Sequence, residues 1–243
     1  MSSPMSPTVP SPDASVPPAH STVGASPGLP AGRTRTSGHL LSSWQWAHVT
    51  CWLLALAAAT SLYAVVVEGW GQLTIDAYAR HVPGMAIPVH TYVKHQALAA
   101  MLGALSVVAS GASWLLWQYR VAREVPRDAL RFGPPWHVAA WLIPVVAVVV
   151  PPLTVADVAR ASGAIVPRGV LAAWWACWLG ACLACPLGLN LADQAADTDA
   201  ALFAARVSLT GHLLLIAAAA LAWNLVQRIS RALGGASPQG SAA

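Results

Sequence analysis

Histidine is the first residue type in this chain whose placement suggests chemistry. His48, His95, His137 and His212 fall in or at the ends of four different apolar segments, and ionisable groups at membrane depth are functional candidates by default. Two facing imidazoles at matched depth would ligate a haem iron. His48 and His137 sit at segment edges, however, which favours interfacial or structural histidines. Cys182 and Cys185 form a C-x-x-C, one helical turn apart, inside "WLGACLACPLGL". A reactive thiol needs a polar, partly exposed setting; this run offers none, so buried, inert thiols are expected.

Glu68, Asp76, Arg80 and His81, with His90, Lys94 and His95, bring mixed charges together between two apolar segments. A zinc pair on a helix needs histidines at i and i+4 beside a carboxylate. His90 and His95 are five apart, so a solvated loop is the expectation. Asp193, Asp197 and Asp199 lack the glycine and terminal glutamate of a calcium loop. Nucleophile elbows, glycine-rich phosphate loops and H-E-x-x-H are all missing from the sequence. The residues thus predict no catalytic group, no metal site and no cofactor.

The elements that carry these residues are set by composition. Of 243 residues, 56% are hydrophobic and 9% charged, against roughly 25% charged in soluble domains. A water-facing surface cannot be built from this chain, so its main partner is the lipid bilayer. The net charge is +4, nearly all from arginine, with Lys94 the one lysine. No basic patch is interleaved with exposed aromatics, which excludes a nucleic-acid partner.

Residues 1–38 are rich in Pro, Ser, Gly and Thr without apolar periodicity, the composition of a disordered tail. A transmembrane helical domain is expected over 39–232 and a flexible tail over 233–243. The fold class is all-α, a polytopic transmembrane bundle. Apolar segments near 45–67, 96–119, 136–152, 170–189 and 203–226 each approach the ~20 residues a bilayer requires. Between the second and third lie Arg120, Arg123, Arg127 and Arg131, the densest positive cluster in the chain. The positive-inside tendency makes that loop cytoplasmic. Five spans then put the C-terminus outside, a side that Arg228 and Arg231 do not suit. A re-entrant third segment leaves four spans and both ends cytoplasmic.

The third segment, "HVAAWLIPVVAVVVPPLTVADVARASG" over 137–163, is broken by Pro144, Pro151 and Pro152. Pro144 is expected to kink its helix. "LTVADVARA" reads as an interfacial helix with Leu153, Val155 and Val158 toward lipid and Asp157 and Arg160 toward water. The tryptophans fall mostly near segment ends, as an aromatic belt does.

Trp141-Leu-Ile-Pro144, a proline seven residues on at Pro151, the run Arg160-Ala-Ser and the pair Trp174-Trp175 occur in that order. Arg120 and Arg123 follow a Trp-x-Tyr helix end at Trp117 and Tyr119. This combination resembles a bacterial membrane-protein family known as domain of unknown function 4328, over about residues 90–230. The resemblance implies a membrane fold and no particular reaction. The family places asparagine and arginine where this chain has Ala147 and Val150, so a polar groove that such a pair would line is not expected here. Trp141, Pro144, Pro151, Trp174 and Trp175 are expected to form one packed unit between the third and fourth segments.

The function expected from these features is that of a multi-pass bacterial inner-membrane protein in the cell membrane. It would be a non-catalytic scaffold or interaction component, working as a homo-oligomer or with a membrane-protein partner. Two alternatives from other classes are a small transporter or channel subunit and a haem-binding membrane redox protein.

Overall fold

The computed structural model describes residues 42–235. The expected tail at 1–38, with Arg33 and Arg35, and most of the expected C-terminal tail lie outside them. The described chain is wholly helical: α1 (Ser43–Ala79), α2 (Ala86–Glu124), a 3-10 turn (Arg127–Ala129), α3 (Trp136–Leu142), α4 (Val146–Ala161), α5 (Arg168–Asp193) and α6 (Thr198–Gly235). Four of them, α1, α2, α5 and α6, are long and apolar enough to cross a membrane.

Local signals start and stop these helices. Ser42 caps α1 in a reciprocal box with Gln45: the Gln45 N–H donates to Ser42 Oγ at 3.3 Å, and the Ser42 N–H donates to Gln45 Oε1 at 2.8 Å. α1 was expected to stop near residue 67, yet it continues to Ala79. It ends where His81 takes a left-handed φ of 57° and the Val82 N–H donates back to Ala77 O. Pro88 stands in the first turn of α2, where a missing N–H costs nothing.

α1 packs on α2 and on α6, and α6 packs on α5. The four spans therefore follow the order α2, α1, α6, α5, each antiparallel to the next. Their seams are heptad-like. On α1 the buried positions include Ala47, Thr50, Leu54, Ala57, Ser61, Ala64, Glu68 and Gly71, in steps of three and four. On α6 they include Ala204, Ser208, Gly211, Ala218, Ala222, Leu225 and Ile229. Small residues at this rhythm let backbones approach in lipid, where hydrophobic exclusion offers no help. The closest approach is between α5 and α6. A methyl built on Gly188 would lie 2.7 Å from Ser208 N, and one on Gly211 2.8 Å from Cys185 N. Cys182, in contrast, lies exposed on the outer surface of α5 and not buried as expected.

The third apolar segment does not cross. Gln118 Nε2 on α2 lies 2.8 Å from Thr154 Oγ1 and 3.4 Å from His137 Nδ1. In one continuous helix those two partners would stand about 25 Å apart. α3 and α4 are instead the arms of a re-entrant hairpin. Pro144 explains the turn: a proline pushes the residue before it out of the α region, and Ile143 has φ −97° and ψ 113°. The expected kink is a complete break. The five-span count therefore falls to four, and the described ends of α1 and α6 share one end of the bundle. There the Arg120 guanidinium lies 5.9 Å from the Trp46 ring centre and Trp117 Nε1 donates to Ser230 Oγ at 3.1 Å.

Gly188→Ala and Gly211→Ala are each expected to destabilise the bundle by about 1–3 kcal/mol, since backbone cannot yield to the added methyl. Thermal melts in detergent check this. Gly103→Ala, where an added methyl meets nothing within 4 Å, should melt at or above wild type.

Candidate functional site

Two constellations are built at opposite ends of the bundle. The first is the proline hairpin. Trp141 at the end of α3 faces α5, with ring centres 6.3 Å from Trp174, 5.8 Å from Trp175 and 6.3 Å from Trp178. Trp174 reaches on to Trp114 of α2 at 5.2 Å, which itself lies 5.2 Å from Trp117. Six indoles thus join α2, α3 and α5 in one cluster, with Trp114, Trp117 and Trp174 buried. An aromatic belt was expected; three of these six are core, and Trp141, Trp175 and Trp178 pack half-buried against it.

The adjacent tryptophans divide their work. Trp174 is buried among its neighbours, while the Trp175 Nε1–H donates to Val148 O at 3.0 Å. In an unbroken helix that carbonyl would receive the N–H of residue 152, and residue 152 is a proline. The indole supplies the donor that Pro152 lacks, which matters because an unmet carbonyl in hydrocarbon costs several kcal/mol. Pro151 is buried just beneath, and its carbonyl accepts from Thr154 Oγ1 at 2.8 Å. Pro144 is exposed at the turn, beside Leu142 and Val145, 72% and 81% exposed. So apolar a tip suits lipid and not water. Ala147 and Val150 are half-buried on the same arm.

At the mouth of the hairpin the interfacial-helix reading is overturned. Asp157 is fully buried, and Val155 and Val158 belong to the core. Asp157 Oδ2 accepts the N–H groups of Arg131 at 2.7 Å and Phe132 at 3.2 Å, and Oδ1 accepts from Arg160 Nη2 at 2.6 Å. The carboxylate turns inward because the loop backbone offers it donors. Arg160 remains half-exposed beside it. His137 Nε2 donates to Phe132 O at 3.3 Å, leaving Nδ1 to accept from Gln118. His137 lies outside the four spans, and its burial lowers its pKa, which keeps the ring neutral in this role. Arg123 stacks on Tyr119 at 5.8 Å, and Arg127 begins the 3-10 turn.

The second constellation was not anticipated. Glu68, expected in a solvated loop, is 3% exposed within α1. Its Oε2 accepts from Tyr92 Oη at 3.0 Å, and its Oε1 from Ser208 Oγ at 3.1 Å and Gln96 Nε2 at 3.3 Å. One carboxylate thereby ties α1 to α2 and α6. Gly71 makes room for the Tyr92 ring, since a methyl there would meet it at 2.2 Å. His95 pairs with Tyr63 Oη at 2.7 Å and stands edge-on to Trp70. The signal for Glu68 was the α1 rhythm itself, which runs through 61, 64, 68 and 71 without a break.

The histidines are not brought together. His48 bonds the Trp44 carbonyl at one end, His137 the hairpin, and His212 lies one turn from Ser208 in the other half. Among the described residues no group of three His, Cys, Asp or Glu side chains converges. Asp197 caps α6 by accepting the Ala200 N–H at 2.8 Å.

Four apolar spans with a proline-broken hairpin folded between α2 and α5 define a polytopic helical membrane protein. The chain belongs to the family described as domain of unknown function (DUF4328), whose model matches residues 89–231. The match begins at the start of α2, so α1 and Glu68 precede it. No curated protein and no solved structure matches the chain.

Trp175→Phe keeps the ring and removes the N–H, and is expected to cost about 1–3 kcal/mol through the unmet Val148 carbonyl. Pro152→Ala restores a backbone donor, so the same Trp175→Phe change should cost clearly less in that background. A double-mutant cycle by thermal unfolding in detergent measures this, and equal costs in both backgrounds would refute the pairing.

Proposed function

We propose that the protein resides in the bacterial cell membrane with its arginine-rich end in the cytoplasm. It acts there as a non-catalytic scaffold or interaction component, in contact with lipid and with a second copy or another membrane protein. The observation that carries the placement is the distribution of charge. Eight of the ten described arginines (Arg120, Arg123, Arg127, Arg131, Arg160, Arg168, Arg228 and Arg231) gather at the end where α1 begins, α6 finishes and the hairpin opens. With four spans Arg228 and Arg231 fall on the same side as the loop, as the positive-inside tendency requires. The non-catalytic reading is supported by where the ionisable groups go: Asp157, Arg160 and His137 are engaged in holding the hairpin, and Asp197 in capping a helix.

The interaction role is supported by the space between α2 and α5. These helices meet through Trp114 and Trp174 but do not pack along one another. An apolar, partly open cavity of about 110 Å³ lies between them, walled by Trp114, Trp141, Trp174 and Trp178 and floored by α1 and α6. One observation favours the transporter reading as a second: Glu68 is a carboxylate buried in a spanning helix.

Cysteine labelling in intact cells tests the placement, using single cysteines in a background lacking the four native ones. Val82→Cys should react with a membrane-impermeant reagent, while Asp128→Cys and Gly235→Cys should react only after permeabilisation. Opposite labelling of Asp128→Cys and Gly235→Cys would overturn the four-span topology, and a uniformly reversed pattern would overturn the cytoplasmic assignment.

A further inference from the structure

Glu68 has hydrogen bonds but no counter-ion. Among the described residues its contacts are the neutral donors of Tyr92, Gln96 and Ser208, and no ion pair reaches it. Most charged and titratable groups on the elements packed around it are engaged or exposed. On α1, Asp76 pairs with Arg80 at 2.5 Å, two turns further on. On α2, His90 and Lys94 are exposed and His95 bonds Tyr63. On α6, Arg206 is exposed, while His212, whose buried Nδ1 has no hydrogen-bond partner, lies one turn from Ser208 and near enough to interact electrostatically with Glu68 without forming an ion pair. A carboxylate that no cation ion-pairs is costly in a low-dielectric interior even when hydrogen-bonded, and neutralising it lowers that cost.

The packing decides what that is. The Tyr92 ring fills the space over Gly71, and the Ser208 backbone lies against Gly188, so a bound cation would need room made for it on close-packed seams. A proton needs none. The donor set also suits two charge states. Tyr92 and Ser208 offer hydroxyls, which turn from donor to acceptor; when Glu68 carries a proton, either one can receive it as a hydrogen bond. Three N–H donors would have served only the anion.

We propose that Glu68 is a reversible proton-binding site inside the membrane, which holds α1 to α2 and α6 in both charge states and loads from the side of the α5–α6 turn. One proton from water joins one carboxylate oxygen, the local charge goes from −1 to 0, and no other bond changes. The loading side follows from depth. Glu68 is level with Ser208 and Gly188, and Gly188 is five residues from the end of α5, about 7.5 Å along the helix. The arginine end is about 33 Å away at Trp46. The site stands whether the protein is a scaffold or a transporter, and an inverted labelling map would change the side that it faces, not its existence.

The test is infrared difference spectroscopy, acid against alkaline pH, on the full chain in lipid nanodiscs, with circular dichroism confirming that each variant is folded. Wild type is expected to show a carboxylic-acid C=O band that titrates, and Glu68→Gln to lack it. Ser208→Ala and Tyr92→Phe retain the carboxyl and should move both the band and its midpoint. Identical difference spectra for wild type and Glu68→Gln would overturn the proposal, as would a Glu68 band that is constant across the pH range. If Glu68→Gln does not fold, a band unmoved in both Ser208→Ala and Tyr92→Phe overturns it equally.

Discussion

A polar group in hydrocarbon must find its partner within the protein, because no water is there to supply one. Much of this structure follows from that constraint. It makes every described element helical, since a helix satisfies its own backbone. It also determines what accompanies each place where the helix fails. Pro152 deprives the Val148 carbonyl of a backbone donor, and the indole of Trp175 provides one. The loop before α3 presents the N–H groups of Arg131 and Phe132, and Asp157 turns inward to accept them. Glu68 enters a spanning helix with three donors drawn from two neighbours.

These local solutions also build the tertiary fold. The re-entrant hairpin occupies the end of the bundle where α2 and α5 would otherwise face each other across a gap. It is held by an indole cluster on one side and by Gln118, His137 and Thr154 on the other. The largest fully buried side chains, Trp117, Leu225 and Ile229 among them, lie toward that same end. Away from it the helices are held by small residues at close approach, with Glu68 as the one buried charge on those seams. Rigid packing at one end and a polar clasp at the other give the two halves of the molecule different physical characters.

Much of the fold was legible in the sequence. Low charge and five apolar segments require a membrane bundle, because a chain that is 9% charged cannot cover itself with polar groups. The order of Trp141, Pro144, Pro151, Arg160 and Trp174-Trp175 carried the family likeness. Pro144 marked a disruption, since its ring crowds the residue before it and its nitrogen carries no N–H. The arginine loop marked one end of the bundle.

The tertiary structure decided what those local rules leave open. A proline states that a helix is disturbed, but whether the chain kinks or reverses depends on what receives the second arm. Here that is Gln118, which bonds Thr154 and His137 from a different helix. A charged residue at a segment edge reads as facing water, and both were read so, Glu68 in a loop and Asp157 on an interfacial helix. Each is buried because donors distant in sequence converge on it: Arg131 and Phe132 for one, Tyr92, Gln96 and Ser208 for the other. Hydropathy sums a residue with its neighbours along the chain, while the cost of burying a charge depends on its neighbours in space. The sequence by itself therefore determined that this protein lives in lipid and where its helices lie. Only the folded bundle determined which polar groups share that environment, since their partners come from other helices and loops.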